Sequence, residues 1–431
     1  MYQRMTSVCV TAAVALATLA VSGATASAAA ASAAHPVAGA FQAAVPGAQL
    51  WAKRYNGPGG AGDNALSVAA APGGGRVFVT GSSLGAGSDE DYATVAYSAA
   101  TGARLWVKRY NGPGNGFDIA RSVAVSPSGK TVYVTGSSPG AGSPGNSDYA
   151  TVAYSAATGA QLWVKRYNGP ANGDDRAVAI AASPTGSAVF VTGSSAGATT
   201  FEDYATVAYS ATTGARLWVK RFAGSDTDSP VAVAVSPDGG RVFVTGSSVP
   251  ANGLGGADYL TIAYRASTGG QLWLRRFAGT VNPDEDNDTA AALAVSPTGD
   301  KVFVTGSSFG PDGDIQDYTT LGYNAATGTR LWLSRYNNGA EDTPTALAVS
   351  PSGSTVYITG ASDSATSTDA ATVAIRASTG GQLWAKRYNG PANGLDRTSA
   401  ITVGPTGTVF VTGSSAGLTT GTDYITIAYS G

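Results

Sequence analysis

The sequence predicts an all-β fold, a β-propeller of seven four-stranded antiparallel blades, and two observations carry this prediction. One segment recurs seven times with a Trp at a fixed place and spacings of 52 to 59 residues, at Trp51, Trp106, Trp163, Trp218, Trp273, Trp332 and Trp384. Between the tryptophans lie short runs in which β-branched and aromatic residues alternate, as in strands. A repeat of this length made of short strands is typical of a propeller or a similar array.

Each repeat contains four strand signals, named A to D from the central channel outward. Strand A is an apolar run such as Ser122–Ser126, strand B is a V-[FY]-[VI]-T-G run such as Val132–Gly136, strand C follows an Asp, and strand D carries the Trp. S-P-x-G turns join A to B and A-T-G or S-T-G turns join C to D, because Pro presets φ and Gly accepts the left-handed conformation. The A–B and C–D turns share one face of the predicted propeller. The B–C and D–A connections are longer and vary in sequence between repeats, and they share the opposite face.

The two ends of the chain are predicted to close the ring. Ala48–Tyr55 matches strand D, and the C-terminal Asp423–Ser430 matches strand C. We therefore expect the seventh blade to take strands A, B and C from residues 399–430 and strand D from residues 48–55. Closure of this kind leaves no free sheet edge.

The N-terminus has the features of a secretory signal peptide over residues 1–28. Arg4 precedes the uncharged apolar run Ser7–Gly23, and Ala-x-Ala cleavage sites follow, so that cleavage could fall as late as residue 34. A membrane anchor is the alternative, but the run is short for a span. Residues 29–47 form an Ala-rich lead-in that we expect to be disordered, and residues 48–431 form the propeller. We therefore expect a secreted, extracellular monomer with no membrane span after cleavage.

The repeat also resembles known propeller families. Ala96–Trp106 (AYSAATGARLW) resembles the docking repeat of pyrroloquinoline-quinone propellers, A-x-D-x-x-T-G-x-x-x-W, with the Thr, Gly and Trp in place and Ser98 where that repeat has Asp. Ser122–Ser138 is similar to repeats of bacterial surface propellers of the SBBP and YVTN type. The resemblance covers Ala48 to Gly431 and implies the propeller fold.

Two absences argue against catalysis. The only Cys and the only His, Cys9 and His35, both precede the propeller. The folded part therefore has no disulfide, no Ser–His–Asp triad, no His-ligated zinc and no thiol nucleophile. We predict a non-catalytic binding scaffold for an unknown protein, glycan or cell-envelope component. The alternative is a Ca²⁺-dependent quinoprotein-like or lactonase-like enzyme, although the vicinal cysteine pair that the quinone-dehydrogenase resemblance implies is missing and bound pyrroloquinoline quinone is not expected.

Charge is distributed unevenly over this map. Of the 28 acidic residues, only Asp238 and Asp300 fall in A–B turns, and the others lie in the B–C and D–A connections or at the start of strand C. Thirteen basic residues lie on strand D, mostly as Lys-Arg or Arg-Arg pairs. We interpret these pairs as a solvated rim and not as a nucleic-acid surface, and we expect the connection face to be negative.

The candidate binding residues belong to two Asp sets on that face. The predicted ligand-binding residues are Asp91, Asp148, Asp203, Asp258, Asp317 and Asp423 at the start of strand C, and Asp118, Asp175, Asp342 and Asp396 before strand A. The alternative for both sets is structural, since Asp before a strand caps loop amides. A Ca²⁺ site is a second hypothesis, with oxygen ligands from Asp284, Glu285, Asp286, Asp288, Asp312 and Asp314.

Overall fold

A computed structural model describes residues 50–60, 62–141, 143–224, 226–250, 256–279, 287–310, 315–364, 366–419 and 421–431. Within these ranges the chain forms 27 β-strands, arranged as seven antiparallel sheets, and no helix. The predicted fold class, a seven-bladed all-β propeller, is confirmed. In this part of the chain no helix is long and apolar enough to cross a membrane.

Each sheet is a meander whose strands pair in chain order. Sheet 1 contains β1 (Asp63–Ala70), β2 (Arg76–Leu84), β3 (Glu90–Ser98) and β4 (Arg104–Tyr110), and sheet 2 contains β5 (Ile119–Val125), β6 (Thr131–Gly140), β7 (Ser143–Ser155) and β8 (Gln161–Tyr167). Sheet 3 contains β9 (Asp175–Ala182), β10 (Ala188–Ala196), β11 (Glu202–Ser210) and β12 (Arg216–Phe222), and sheet 4 contains β13 (Asp228–Val235), β14 (Arg241–Ser248), β15 (Asp258–Arg265) and β16 (Gln271–Phe277). Sheet 5 contains β17 (Thr289–Val295), β18 (Lys301–Phe309), β19 (Gln316–Asn324) and β20 (Arg330–Tyr336), and sheet 6 contains β21 (Asp342–Val349), β22 (Thr355–Asp363), β23 (Thr368–Arg376) and β24 (Gln382–Tyr388). Sheet 7 contains β25 (Arg397–Val403), β26 (Val409–Gly417) and β27 (Gly421–Tyr429).

The Gly at the end of the strand B motif is required by a bulge in strand A. In sheet 2 the pairing of β5 with β6 shifts between Ala120 and Ser122, and the other sheets have the same irregularity. A Cβ placed on Gly136 would lie 1.9 Å from the Ile119 carbonyl oxygen. Strands A and B therefore approach too closely for any side chain at this position of the V-x-V-T-G motif.

The core lies between neighbouring sheets and is held by the repeated aromatic residues. The Trp106 indole N–H donates to the Ala156 carbonyl of sheet 2 at 3.1 Å, and the Tyr92 hydroxyl donates to the Ala150 carbonyl at 3.1 Å. The same forward bond from Trp recurs at 2.8 to 3.2 Å from Trp163, Trp218, Trp273 and Trp332. The repeated aromatic residues therefore pack between consecutive blades.

The C–D turn glycine is the surface on which each Trp packs. Gly159 has a φ of +70°, and a Cβ there would lie 2.8 Å from Cδ2 of Trp106 in the preceding sheet. Equivalent contacts place Gly214 against Trp163 and Gly269 against Trp218. The T-G and Trp elements of the repeat are therefore two halves of one contact between consecutive blades.

The connections form two faces. The A–B and C–D turns lie at one end of each sheet, where Ala99 N–H donates to the Gly75 carbonyl at 3.2 Å, and we call this end the turn face. The B–C and D–A connections lie at the other end, the loop face, where Asp118 N–H donates to the Glu90 carbonyl of the preceding sheet at 2.6 Å. This division agrees with the sequence prediction.

The closing strand differs from the prediction. The seventh sheet has three strands, and residues 50–57 are not assigned to a strand. The segment instead stays on sheet 1, where the Trp51 indole donates to the Ala99 carbonyl at 2.9 Å and Arg109 donates to the Tyr55 hydroxyl at 3.4 Å. As a result Tyr424 on β27 is 98% exposed, whereas its counterpart Tyr149 in sheet 2 is fully buried.

Candidate functional site

The Asp at the start of strand C forms an ion pair inside its own blade. In sheet 2, Arg166 near the end of β8 donates to the Asp148 carboxylate at 2.9 and 3.1 Å through Nη2 and Nε. Its Nη1 donates to the Ser138 hydroxyl at 2.6 Å and to the Tyr110 hydroxyl of sheet 1 at 3.2 Å. The guanidinium fork thus joins strands B, C and D of one blade to strand D of the preceding blade.

The same pair recurs in six sheets, always 18 residues apart. The other pairs are Arg109–Asp91 at 2.8 Å, Arg221–Asp203 at 2.6 Å, Arg276–Asp258 at 3.2 Å, Arg335–Asp317 at 3.7 Å and Arg387–Asp369 at 2.9 Å. The carboxylates are buried. This corrects the prediction that the strand D basic pairs form a solvated rim, because the second member of five of these pairs turns inward and binds a buried Asp of the loop face.

The Asp before strand A binds the backbone of the preceding loop. The Asp118 carboxylate accepts the Gly112 N–H at 2.8 Å, and Asp175, Asp342 and Asp396 accept the N–H of Gly169, Asn338 and Gly390 at 2.6 to 2.9 Å. The structural alternative of loop capping is therefore present in each. A Cβ on Gly112 would lie 2.0 Å from Ser138 Oγ and 2.8 Å from Asp118 Oδ1. The loop glycine is required because the carboxylate and the hydroxyl occupy that space.

Burial changes the acidity of this second Asp set. Burial, with a smaller contribution from Asp91, raises the pKa of Asp118 to about 6, although the Ser138 hydroxyl and the Gly112 amide act in the opposite direction. Burial likewise raises the pKa of Asp342 to about 6, and the nearby Asp317 adds to the effect. The pKa values of Asp175, Asp228 and Asp288 are raised for the same first reason. These carboxyls therefore stay protonated at higher pH than an exposed Asp does.

The structure therefore brings the predicted ligand-binding residues into the blades. Nine of the ten are buried, and only Asp423 on β27 is exposed. Their role in ligand binding stays a prediction.

Of the predicted Ca²⁺ ligands, Asp284, Glu285, Asp286, Asp312 and Asp314 lie outside the described residues. Asp288 is buried, and its carboxylate accepts a hydrogen bond from the Gly279 N–H. Among the residues that the structure does describe, no three His, Cys, Asp or Glu side chains are grouped to hold a metal ion.

The loop face instead exposes large apolar side chains that the sequence reasoning missed. Phe117 and Leu395 in D–A connections are 59% and 58% exposed, and Phe201 and Leu418 in B–C connections are 67% and 73% exposed. Alignment of the repeats would have revealed two of them, because Phe117 and Leu395 occupy the position of Asp174 in the N-G-D-D segment. The loop face therefore combines acidic residues with exposed apolar side chains.

Charged groups surround these apolar side chains. Glu202, next to Phe201, binds Arg176 at 3.2 Å, and Arg176 also binds Asp174 at 2.6 Å. All three side chains are partly exposed. Asp118, next to Phe117, is bonded through its backbone to Glu90. On the loop face Phe201 therefore lies beside a partly exposed carboxylate, whereas Phe117 lies beside the buried Asp118.

Comparison with known proteins agrees with this architecture. The family model described as outer membrane protein assembly factor BamB, a PQQ-type repeat family, matches residues 41–234 and 203–421. The chain belongs to this family. No curated protein matches the sequence.

Solved structures resemble this chain at low sequence identity. Sqt1 from Chaetomium thermophilum is 15% identical with a TM-score of 0.54, over 81% of this chain and 79% of that one. The quinohemoprotein alcohol dehydrogenase from Comamonas testosteroni is 14% identical with a TM-score of 0.49, over 79% and 61% of the two chains. BamB from Moraxella catarrhalis is 16% identical with a TM-score of 0.39, over 77% and 78%. The chain thus spans about 61% of the length of the quinohemoprotein dehydrogenases that it matches.

Proposed function

We propose that this PQQ-type propeller is an exported, non-catalytic interaction scaffold that binds a protein partner through its loop face. The observation that carries the proposal is the exposure of Phe117, Phe201, Leu395 and Leu418 on connections of that face. Aromatic and aliphatic side chains of this size act as anchors in protein interfaces when the partner buries them. The apolar signal peptide pattern of residues 1–28 supports export.

Charge supports a partner with a basic contact surface. Exposed carboxylates of Asp89, Asp226 and Glu341 lie in other connections of the loop face, and the partly exposed Glu202 adjoins Phe201. A one-signed face raises the encounter rate of an oppositely charged partner and selects against an acidic one. Among the sequence-predicted partners, a protein fits better than a glycan because the anchors stand out from the surface on loops, whereas no aromatic platform lines a cleft in the described residues.

The use of the Asp sets supports a non-catalytic role. Catalysis on a propeller needs carboxylates that converge on a substrate, whereas the described Asp residues of both sets other than Asp423 bind Arg side chains or loop amides. The alternative, a Ca²⁺-dependent quinoprotein-like or lactonase-like enzyme, has no comparable observation in its favour. Function lies in sites and not in folds, so the dehydrogenase neighbours do not transfer their activity.

Site-specific photocrosslinking tests the proposed binding face. A photoreactive residue replaces Phe117 or Phe201, and a matched control replaces Ser128, which is exposed on the turn face. After incubation with the cell-envelope fraction of the producing organism, we expect one adduct of defined mass from both loop positions and none from the control. Equal adducts at all three positions, or none at the loop positions, would overturn the proposal.

Thermal melts test the non-catalytic part separately. We expect the same melting temperature in EDTA, in Ca²⁺, and in Ca²⁺ with pyrroloquinoline quinone, since a ligand that binds only the folded state raises this temperature by mass action. A rise with Ca²⁺ would establish a metal site, and a further rise with the quinone together with quinone-dependent alcohol oxidation would establish the enzyme instead.

A further inference from the structure

The turn face has a charge opposite to that of the loop face. Its turns and the strand ends beside them carry nine basic residues, Arg76, Arg104, Lys130, Arg216, Arg241, Arg265, Lys301, Arg330 and Arg376, and two acidic ones, Asp238 and Asp300. Successive A–B turns touch on this face, as where Gly299 lies against Pro237 and Gly353 against Pro297. The grooves between blades therefore open onto a face on which basic residues outnumber acidic ones.

One of these grooves combines two cations. The groove between sheets 5 and 6 has a volume of about 430 Å³ and is lined by Lys301 and Arg376, by the hydroxyl side chains of Ser354, Thr355 and Ser378, and by Leu383. None of its described lining residues is acidic. The neighbouring groove between sheets 4 and 5, of about 330 Å³, contains Arg241 but also Asp238 and Asp300.

The repeat shows that this combination is unique among the described grooves. In each groove one position is the first residue of strand B, and the other is the last residue of strand C in the next sheet or, in sheet 7, the residue after it. The six pairs are Arg76 with Ser155, Thr131 with Ser210, Ala188 with Arg265, Arg241 with Asn324, Lys301 with Arg376, and Thr355 with Ser430. Only the groove between sheets 5 and 6 has a cation at both positions.

The charge of this groove is only partly neutralised. Lys301 Nζ binds the carboxylate of the adjacent Asp300, which faces the groove between sheets 4 and 5. Arg376 is exposed and forms no salt bridge within the described residues. A guanidinium, an ammonium and three hydroxyls around one groove match a group that presents several acceptor oxygens, as a phosphate does.

We propose that the groove between sheets 5 and 6 binds a phosphate group, carried either by a soluble phosphodiester or by a lipid headgroup. The site lies on the face opposite to the loop-face anchors and does not depend on the proposed partner. It arises where this chain departs from the docking repeat of its family, since Arg376 replaces the Asp of that motif. Two charge-assisted contacts on one phosphate make each cation necessary.

The repeat supplies substitutions that the fold already accepts. Arg376→Ser installs the residue found at Ser98, Ser155 and Ser210, and Lys301→Thr installs the residue found at Thr131 and Thr355. Arg265→Ser is the matched control, because Arg265 faces a groove whose other position is Ala188. Thermal melts of the three variants show whether all are folded before binding is compared.

Calorimetric titration of the full chain with inorganic pyrophosphate tests the site. We expect each of Arg376→Ser and Lys301→Thr to weaken binding by at least about tenfold, as loss of one charge-assisted contact does, and Arg265→Ser to leave it unchanged. The absence of binding by the unaltered chain, or an equal loss in all three variants, would overturn the proposal.

A second titration separates the two sources of phosphate. The unaltered chain and Arg376→Ser are compared for binding to a soluble glycerol-phosphate oligomer and to vesicles of phosphatidylglycerol. Binding of the oligomer that Arg376→Ser abolishes supports a soluble phosphodiester, and binding of vesicles alone that Arg376→Ser abolishes supports a lipid headgroup. Binding of either probe that Arg376→Ser leaves intact would overturn the proposal.

Discussion

Arg166 and Asp148 lie 18 residues apart in the chain and form a largely buried ion pair at 2.9 Å that links the two outer strands of sheet 2. The geometry is that of a forked guanidinium on one carboxylate oxygen, supported by two hydroxyls. Because five other sheets repeat the pair, it is a structural element of the blade and not a special site. Its partners come from its own blade and from the preceding one, so it also resists sliding of these two blades against each other.

Arg166→Ala leaves the buried Asp148 carboxylate without its cation. We expect a loss of about 2–4 kcal/mol in the free energy of unfolding, since one partner of a largely buried pair is removed. The matched control is Lys130→Ala, because Lys130 is exposed and we expect a change of less than about 0.5 kcal/mol. Urea unfolding of both variants measures the difference. Equal effects would show that the pair does not stabilise the blade.

The raised pKa of Asp118 and Asp342 predicts how stability depends on pH. The pKa of each carboxyl is 3.8 when it is exposed to water, as in the unfolded chain, and about 6 in the folded protein. The folded state therefore binds a proton more tightly than the unfolded state between these values, and stability falls as pH rises from about 4 to about 6. The stability that each protonated carboxyl contributes is fully present below the unfolded pKa and is lost above pH 6, and it amounts to at most about 3 kcal/mol for each carboxyl.

Asp118→Asn tests the assignment because the amide keeps an acceptor for the Gly112 N–H and carries no charge. We expect the variant to melt at a higher temperature than the unaltered chain at pH 7.5, with a smaller difference at pH 4.5. Melting curves across this range measure it. An Asp118→Asn variant that is less stable at pH 7.5, with an unchanged pH profile, would show that the ionised carboxylate is the stabilising form.

The sequence predicts the blade better than it predicts the surroundings of the charges. The Trp spacing and the turn glycines identify the seven sheets, because a Trp and a turn Gly meet where two blades pack, as Trp106 and Gly159 do. The sequence did not predict the ion pair of Arg166 with Asp148. Alternation along β8 predicts which side of the sheet Arg166 faces, but it does not predict that the long side chain reaches Asp148 on β7. Register would have supplied it: Arg166 pairs with Ala150, two residues from Asp148.

The exposed anchors and the open edge were missed for different reasons. Phe117 stands where another repeat has Asp174, and only comparison of repeats makes the substitution visible. The segment around Trp51 carries the strand D motif, but the motif specifies its contact with the next sheet. It does not specify pairing with β27, and the structure shows the first contact without the second.

Gly159→Ala and Gly186→Ala form a matched pair that isolates the Trp contact. The two glycines have φ values of +70° and +71°, so the conformational strain of an added Cβ is the same. A Cβ on Gly159 would lie 2.8 Å from Trp106, whereas a Cβ on Gly186 would meet nothing within 4 Å. We expect Gly186→Ala to destabilise by about 1 kcal/mol and Gly159→Ala by about 1–3 kcal/mol more. Equal losses of unfolding free energy would mean that the indole moves aside without cost.

Tyr149 and Tyr424 occupy the same place in sheets 2 and 7 and differ only in what covers them. Tyr149 is fully buried, packs on Tyr167 with ring centroids 5.3 Å apart and donates to the Ala205 carbonyl of the next sheet. Tyr424 is 98% exposed on β27. Tyr149→Ala removes a buried aromatic ring and leaves a cavity, and we expect it to lower the free energy of unfolding by about 3–5 kcal/mol.

Tyr424→Ala removes a ring that faces solvent, so we expect a change within about 0.5 kcal/mol. Urea unfolding of the two variants under the same conditions measures the contrast. Similar large losses in both would mean that the seventh sheet is covered in solution, as Tyr149 is covered by sheet 3. A small effect at Tyr424 alone would mean that β27 presents an open edge, and unfolding would then begin at sheet 7 because fewer contacts hold it than hold any inner blade.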